Sequence, residues 1–313
     1  MEKCSRLVSF PEEKWPDLRP EFDESRHQRV IDSCEDIPET RPAFPYPINR
    51  VGITDKTLWI NLPEGCMPFS SAIYVDLPSG FRGIHMSRME QQISKLCQEQ
   101  FCDICQFAEC LAQKILEEQQ GSTARISLEG LMPLRWKTAI SKRISLDSIK
   151  LSADVTVSKE KGENRKRSLV GLALVHITAC PCTQVYLGGL FGDKAKWPYP
   201  THSQRCVTWL RVERDGNEPS YEDLLECLTS CLHPCQDLLK RPDEAELVLK
   251  SHREPQFAED TVRLVARQVG LSLGNQIASD GLIEVNTTSY ESIHNHNVAC
   301  HLETTLKQIQ ESL

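Results

Sequence analysis

Two rhythms of apolar positions run along the chain, and each change of rhythm marks the edge of an element. A period of two predicts a half-buried strand; a mixed spacing of three and four predicts a helix face. "TLWINLP" and "SSAIYVDLP" alternate, predicting two short strands joined by a turn that holds Gly65 and Pro68. Ser87-Arg88-Met89-Glu90 has the capping-box pattern of a helix start. Phe101, Ile104, Cys105, Ala108, Leu111, Ala112 and Ile115 then recur on one helical face, and Gly121 is expected to stop that helix. "TARISLEGLMPL" returns to strand character.

The second half runs in the same order. Leu151, Ala153, Val155 and Val157 alternate as a strand, and the charged run 159–167 reads as a solvated hairpin tip leading into an apolar strand over 168–178. Ser220-Tyr221-Glu222-Asp223 predicts the cap of a helix rich in leucine and cysteine. A further helix is expected after Pro255, with Ala258, Val262, Val265 and Val269 on one face and Gly270 behind it. "LIEVNTTSY" and "VACHLETTL" close as strands. Strand pair, helix pair, strand pair, written twice, implies an α+β fold of antiparallel sheets with paired helices on one face.

Composition narrows the function classes. The 313 residues carry 36 Lys plus Arg against 44 Asp plus Glu, a net charge of −8 that favours neither nucleic acid nor an anionic membrane as partner. No apolar stretch approaches the ~20 residues of a membrane span, and the N-terminal stretch has no signal-peptide core. Fourteen cysteines without an export signal imply a reducing compartment, the cytoplasm, with free thiols or metal ligands. Residues 1–47 hold seven of the 18 prolines among charges, the composition of a tail, arm or lid.

The apolar run to residue 178 ends in "HITACPCTQVY". On a strand that is running out, Cys180 and Cys182 would leave the sheet on the same side, with Pro181 ending the ladder. Core filling, a redox pair and a first metal ligand are all open at that point. Other donors follow far along the chain: His202 in "PTHSQR", Glu244 at the end of "KRPDE", and Glu291, His294 and His296 in "YESIHNH". Thiolate, imidazole and carboxylate together suit Zn²⁺ or Fe²⁺, and three protein ligands leave a position for an activated water.

"ACPCT", "THSQR", "LKRPDE", "PQFAEDTVR" and "ESIHNH", in this order, resemble the motifs of the type IB GTP cyclohydrolase I family, a metal-dependent bacterial family with archaeal relatives. "PINRVGITD", "GIHMSRM" and "RWKTA" match upstream, so the resemblance spans roughly residues 47–305. It implies two tandem tunnelling-fold modules, here 47–143 and 144–313, behind a Pro-rich arm over 1–46, with most metal-site residues in the second module. It implies hydrolysis of GTP at C8, release of formate and formation of 7,8-dihydroneopterin triphosphate. By the same resemblance Cys180, His202 and Glu244 hold one divalent metal (Zn²⁺, Fe²⁺ or Mn²⁺), and Glu291 anchors the guanine edge. Cys182, Glu259, His294 and His296 are then proton handlers or supporting groups, and Arg88, Arg135, Lys137 and Arg205 are candidates for the triphosphate. A homo-oligomer, a tetramer, is implied, with sites shared between subunits.

Two stretches depart from the family pattern. "ISKRIS" stands where a proline-serine-glycine cluster is expected, and "GGLFGDKAKWPYP" lengthens the segment before "THSQR" toward the archaeal branch, whose product is a cyclic phosphate. Bland readings stand beside several residues. Glu244 and Glu259 sit where acidic residues favour a helix dipole. Cys102 and Cys105 of "CDIC", with Cys97 and Cys110 nearby, read as core packing, as do Cys227, Cys231 and Cys235. The rival functions are a nitrile reductase of the same fold, acting through a cysteine nucleophile, and a purine or pterin binder without turnover.

Overall fold

Among the described residues, eight strands pair in chain order, every neighbour antiparallel, into one continuous sheet. The computed structural model describes residues 23–160, 163–192, 198–216 and 219–313. The strands are β1 (Ile48–Leu62), β2 (Gly65–Leu77), β3 (Thr123–Lys137), β4 (Ile144–Glu160), β5 (Glu163–Ala179), β6 (Ser203–Arg214), β7 (Leu282–Tyr290) and β8 (Val298–Thr305). The helices are α1 (Glu24–Ser33), α2 (Met86–Leu96), α3 (Ile104–Glu118), α4 (Pro181–Phe191), α5 (Tyr221–Cys231), α6 (Arg241–Arg253), α7 (Ala258–Ser272) and α8 (Leu306–Gln310). The fold is therefore α+β, as the alternation of rhythms predicts. Among the described residues no helix is long and apolar enough to cross a membrane.

Period-two alternation gives the sheet its two faces. Ile126, Leu128, Ala153, Val155, Val170, Leu172, Leu210, Val212, Ile283 and Val285 point to one side and join a single core with α3, α5 and α7. From α3 come Phe107, Leu111 and Ile115; from α7, Val262, Val265 and Val269. The other face is polar: Ser127 lies opposite Asp154 and Glu129 opposite Ser152 in the β3–β4 register, along a shallow concavity that Arg211 also lines. Asp103 ties the two halves together. Its Oδ1 accepts from Gln106 N–H to cap α3, and its Oδ2 accepts from the buried Arg214 at 2.7 Å at the end of β6.

Several local expectations are corrected. Pro68 lies inside β2, paired with Trp59, not in the turn. The β2–β3 register begins only at Phe69 and Gly130, so Pro68 has a strand on one side alone and its missing N–H costs no ladder bond. The Ser87 capping box does not form. Helix α2 starts at Met86, and buried Gln119 bonds both the N–H and the C=O of His85, the residue before it, so a tertiary amide replaces the local cap. Helix α3 ends at Glu118, before Gly121; a Cβ on Gly121 would lie 2.4 Å from Asp76 O, so close approach is what that position demands. Gly270 falls inside α7, where its missing side chain makes room for Ile309 of α8. The box at Ser220 and Asp223 does form.

Helix α1 buries nothing, and residues 1–22 of the expected arm lie outside the described residues. The turn Ile37–Glu39 is docked nonetheless: Pro38 C=O accepts from Arg82 and Gly83 N–H at 3.0 and 3.1 Å.

Helix α6 is fastened to the β3–β4 hairpin through Asp243. Its buried carboxylate accepts from Ile140 N–H, Ser141 N–H and Lys240 N–H and from the Ser141 hydroxyl. Burial opposes ionisation, but these donors outweigh it and hold the carboxyl far below the ordinary 3.8. A depressed carboxylate stabilises the fold above the unfolded pKa and loses that contribution as pH falls through the folded one. The melting difference between wild type and Asp243→Asn should thus be large at pH 7 and shrink steadily below about pH 4, followed by circular dichroism; a gap independent of pH would refute the assignment. Phe107, fully buried and edge-on to Phe101 at 5.2 Å, reports on the core. Phe107→Ala should cost about 3–5 kcal/mol in urea unfolding.

Candidate active site

Strand β5 stops at Ala179 because Pro181 cannot extend a ladder, and the proline instead takes the first helical position of α4 with Cys180 as its N-cap residue. The two thiols therefore do not leave the sheet together. Cys180 stays at the strand end while exposed Cys182 enters the first turn of α4. The Cys180 backbone is held against the start of β6, its N–H donating to His202 C=O at 3.0 Å and its C=O accepting from the Thr201 hydroxyl at 2.7 Å.

A cavity of about 260 Å³ opens at this corner. Its walls carry Cys180, His202, Glu259, Glu291, His294 and His296, six of the residues singled out from sequence. The linker ahead of α7 completes it, since Gln256 N–H bonds Ala179 C=O and brings Phe257, Ala258 and Glu259 to the rim. The imidazoles of His294 and His296 stack with centroids 5.2 Å apart, and His202 meets His294 edge-on at 6.4 Å. His202 Nδ1 lies 3.1 Å from Gln204 Oε1; in the tautomer that donates there, Nε2 is left with its lone pair. Glu291 Oε1 accepts from the Ser289 hydroxyl at 2.8 Å.

The other candidates lie elsewhere. Glu244 is exposed in the first turn of α6 and does not line this cavity. The far end of α6 does approach it, through His252 Nε2 at 3.4 Å from Thr201 C=O. Glu244 is eight residues back from there (252 − 244), about 12 Å along the helix axis. Arg135 and Lys137 line a second cavity of about 500 Å³ between the end of β3 and helices α5 and α6. Arg88 sits on α2 beside Asp36 and Glu39. Arg205 is exposed on β6, on the opposite side from Gln204 and Cys206. Among the described residues the three-ligand grouping of metal-binding type within 4.8 Å is Asp36, Glu39 and His85, not Cys180, His202 and Glu244.

Gln204 and Ser289, which hold two of the site's side chains, were not legible as such. Strand β6 itself shows little pattern in sequence, because its inward positions run Gln204, Cys206, Thr208 before Leu210 and Val212. Polar residues on the buried face hide the alternation. Beneath the cavity these polar positions continue downward: His176 Nε2 contacts the Thr208 hydroxyl at 2.7 Å, and Thr208 contacts Thr287 at 2.8 Å. Burial pushes His176 down to about 3, so it is a neutral ring within the sheet. The thiols of "CDIC" separate, with Cys105 in the core and Cys102 exposed ahead of α3.

An eight-stranded antiparallel sheet with helices on one face is the tunnelling fold. It is shared with the uricases of Arthrobacter globiformis (TM-score 0.52, 10% identity, 82% of this chain and 93% of that one) and Bacillus fastidious (TM-score 0.50, 8% identity, 84% and 95%). At such identity the likeness is one of fold alone. Sequence comparison goes further. Residues 34–300 match the family model described as type I GTP cyclohydrolase folE2. Proteins named GTP cyclohydrolase MptA are 28% identical in Methanobrevibacter smithii (88% of this chain, 98% of that protein) and 28% in Methanococcus aeolicus (89% and 99%). That of Haloferax volcanii is 27% identical (89% and 97%). The chain belongs to the type I GTP cyclohydrolase folE2 family, and it is an enzyme of the GTP cyclohydrolase class.

Thiol reactivity reports on this geometry. Burial pushes Cys105 from 9.0 up to about 12, which alone lowers its thiolate fraction about a thousandfold. Pulse alkylation with mass-spectrometric mapping should label Cys102 and Cys182 rapidly while Cys105 and Cys206 stay unmodified; labelling of Cys206 as fast as Cys182 would mean the floor of the cavity is open.

Proposed function

We propose that this protein is a metal-dependent cyclohydrolase that opens the imidazole ring of GTP at C8, releases formate and forms 7,8-dihydroneopterin triphosphate. One observation carries the reading: Cys180, His202, Glu259, Glu291, His294 and His296, scattered over more than 110 residues of sequence, line one cavity. The donor types suit a divalent cation, Zn²⁺, Fe²⁺ or Mn²⁺. Cys180 and His202 are side by side, and the free Nε2 implied by the Gln204 contact is the arrangement of an oriented metal-binding imidazole. Glu244, the third donor the family motifs imply, lies outside this cavity within the single chain, so it would complete the set only where a second subunit brings it there. When bound, the metal supplies a water acidic enough to attack C8 near neutral pH.

The chain's own groups do the rest. Glu291 accepts from two adjacent N–H groups of the guanine edge, fixing the base with a bidentate contact. His294 and His296, stacked at the mouth, deliver the proton that the departing ring nitrogen needs. Glu259, at the start of α7, supports that transfer.

A cavity of about 260 Å³ falls below the roughly 300–1,000 Å³ usual for a complete ligand site. None of Arg88, Arg135, Lys137 and Arg205 lines it, so the triphosphate would be met by cations of a second subunit. Val185, Tyr186, Leu190 and Phe191 expose apolar surface on α4, beside Cys180, where such a subunit could pack. A homotetramer with shared sites is the assembly proposed. The chain would then be two tandem modules, each strand pair, helices, strand pair, if the division falls at the β4–β5 turn instead of at residue 144. A cytoplasmic location accords with the free state of every cysteine among the described residues.

The similarity to MptA proteins of archaea supports a second reading, in which the product is dihydroneopterin 2′,3′-cyclic phosphate. Anaerobic incubation of metal-reconstituted protein with GTP tests both. Formate should appear with wild type and fall at least a hundredfold with Cys180→Ala or after chelation, and the pterin mass selects the product. Absence of formate with all three metals would sink the proposal; light scattering of the same sample checks the tetramer.

A further inference from the structure

Gln204 is the first inward-facing residue of β6, paired with Thr178 of β5, and it lines the cavity while only 9% exposed. Further along the same face Leu210 and Val212 belong to the core, so a glutamine at this position does not serve apolar packing. Among the described residues its side chain makes one hydrogen bond, between Oε1 and His202 Nδ1 at 3.1 Å. A buried amide is costly without a partner, and this contact is what offsets that cost.

The same contact decides the state of His202. Residues 202 and 204 are two apart where β6 begins, so their side chains leave on one side and the short reach closes. The His202 main chain is already fastened to β5, its C=O accepting from Cys180 N–H at 3.0 Å. Gln204 adds the rotation of the ring. A carbonyl oxygen only accepts, so the imidazole proton sits on Nδ1, and Nε2 on the other side of the ring carries the lone pair. An amide turned the other way would donate to Nδ1, move the proton to Nε2 and remove that lone pair. The partner is also uncharged: it orients the imidazole while polarising it less than a carboxylate would.

We infer that Gln204 is a positioning residue that sets the affinity of the site for a divalent cation by holding His202 in its Nδ1–H form, with Nε2 as the ligating atom. This rests on the reading of Cys180 and His202 as metal donors. Gln204 is not itself a donor, and its effect passes entirely through the His202 ring.

The test is titration of Co²⁺ into the metal-free full chain. Affinity is read by competition with a chromophoric chelator, and the ligand set by the visible spectrum and the thiolate-to-cobalt absorption. Gln204→Met keeps the length of the side chain without the amide and should weaken Co²⁺ binding about 10- to 100-fold. Placed on top of His202→Ala, the same change should alter affinity less than about twofold, because the ring it acts through is gone. Gln204→Glu, an acceptor only, should bind Co²⁺ at least as tightly as wild type yet release formate from GTP more slowly at saturating metal, since a more basic ring leaves less charge to acidify the water.

Wild-type affinity in Gln204→Met, or an equal loss with and without His202, would overturn the inference even if the melting temperature fell, as it would for a merely structural amide. Gln204→Glu binding as weakly as Gln204→Met would overturn the assigned tautomer. Co²⁺ affinity and spectrum that survive both Cys180→Ala and His202→Ala would defeat the metal reading and this inference with it. The expected cycle without any formate from GTP would uphold the inference and sink the cyclohydrolase reading alone.

Discussion

Everything at the candidate site depends on the register in which β5, β6 and β7 pair. Side chains alternate across a sheet, so a slip of one residue would send Gln204, Cys206 and Thr208 to the polar face and bring Arg205, Val207 and Trp209 under the helices. The observed register sets three strands' polar residues beside one another at a single end of an otherwise apolar face. Leu172, Leu210 and Val285 lie side by side in the core; two residues further along Leu174, Thr208 and Thr287 do so, with His176 beyond Leu174 on β5 reaching Thr208 diagonally, and then comes the cavity. The same alternation that builds the core thus builds the floor of the site.

That floor is costly unless every polar group finds a partner, because buried hydroxyls and imidazoles lose their water. Most do: Thr208 bridges His176 and Thr287, and Ser289 serves Glu291. His176 Nδ1 is left without a partner, and burial keeps the ring neutral. The rest of the structure holds this layer still. One core spans both halves, the Asp103–Arg214 pair fixes the far end of β6, and Asp243 fixes α6 against the β3–β4 hairpin. Chemistry is thereby placed on strand ends and on short segments leading out of them, positions that are rigid below and open above.

The α+β class, the helix of Phe107 and Leu111, the start of α5 and the alternation of β4 were legible because each rests on spacing within a few residues. The local pattern misleads where a distant residue supplies what the neighbouring sequence lacks. The Ser87 box failed because Gln119 reaches His85 from 34 residues away. Pro68 sits within a strand because β3 stops pairing just short of it. Strand β6 went unread because the polar layer interrupts its hydrophobic alternation. At the site, six of the residues that the motifs single out line one cavity, whereas Cys182 parts from Cys180 because Pro181 ends the strand and opens α4.

By itself, then, the sequence determined which segments alternate, which segments coil, and which residue types could bind a metal or move a proton, since those are properties of composition and of short-range geometry. Only the tertiary structure decided which of those residues meet. It brought His202 to Cys180 and His294 to His202, left Glu244 on the outer turn of α6, and sent Arg88, Arg135, Lys137 and Arg205 elsewhere. The reason is physical: proximity between residues far apart in the chain is set by strand register and helix docking, both of which are chosen by the burial of the whole core and by no local stretch of it.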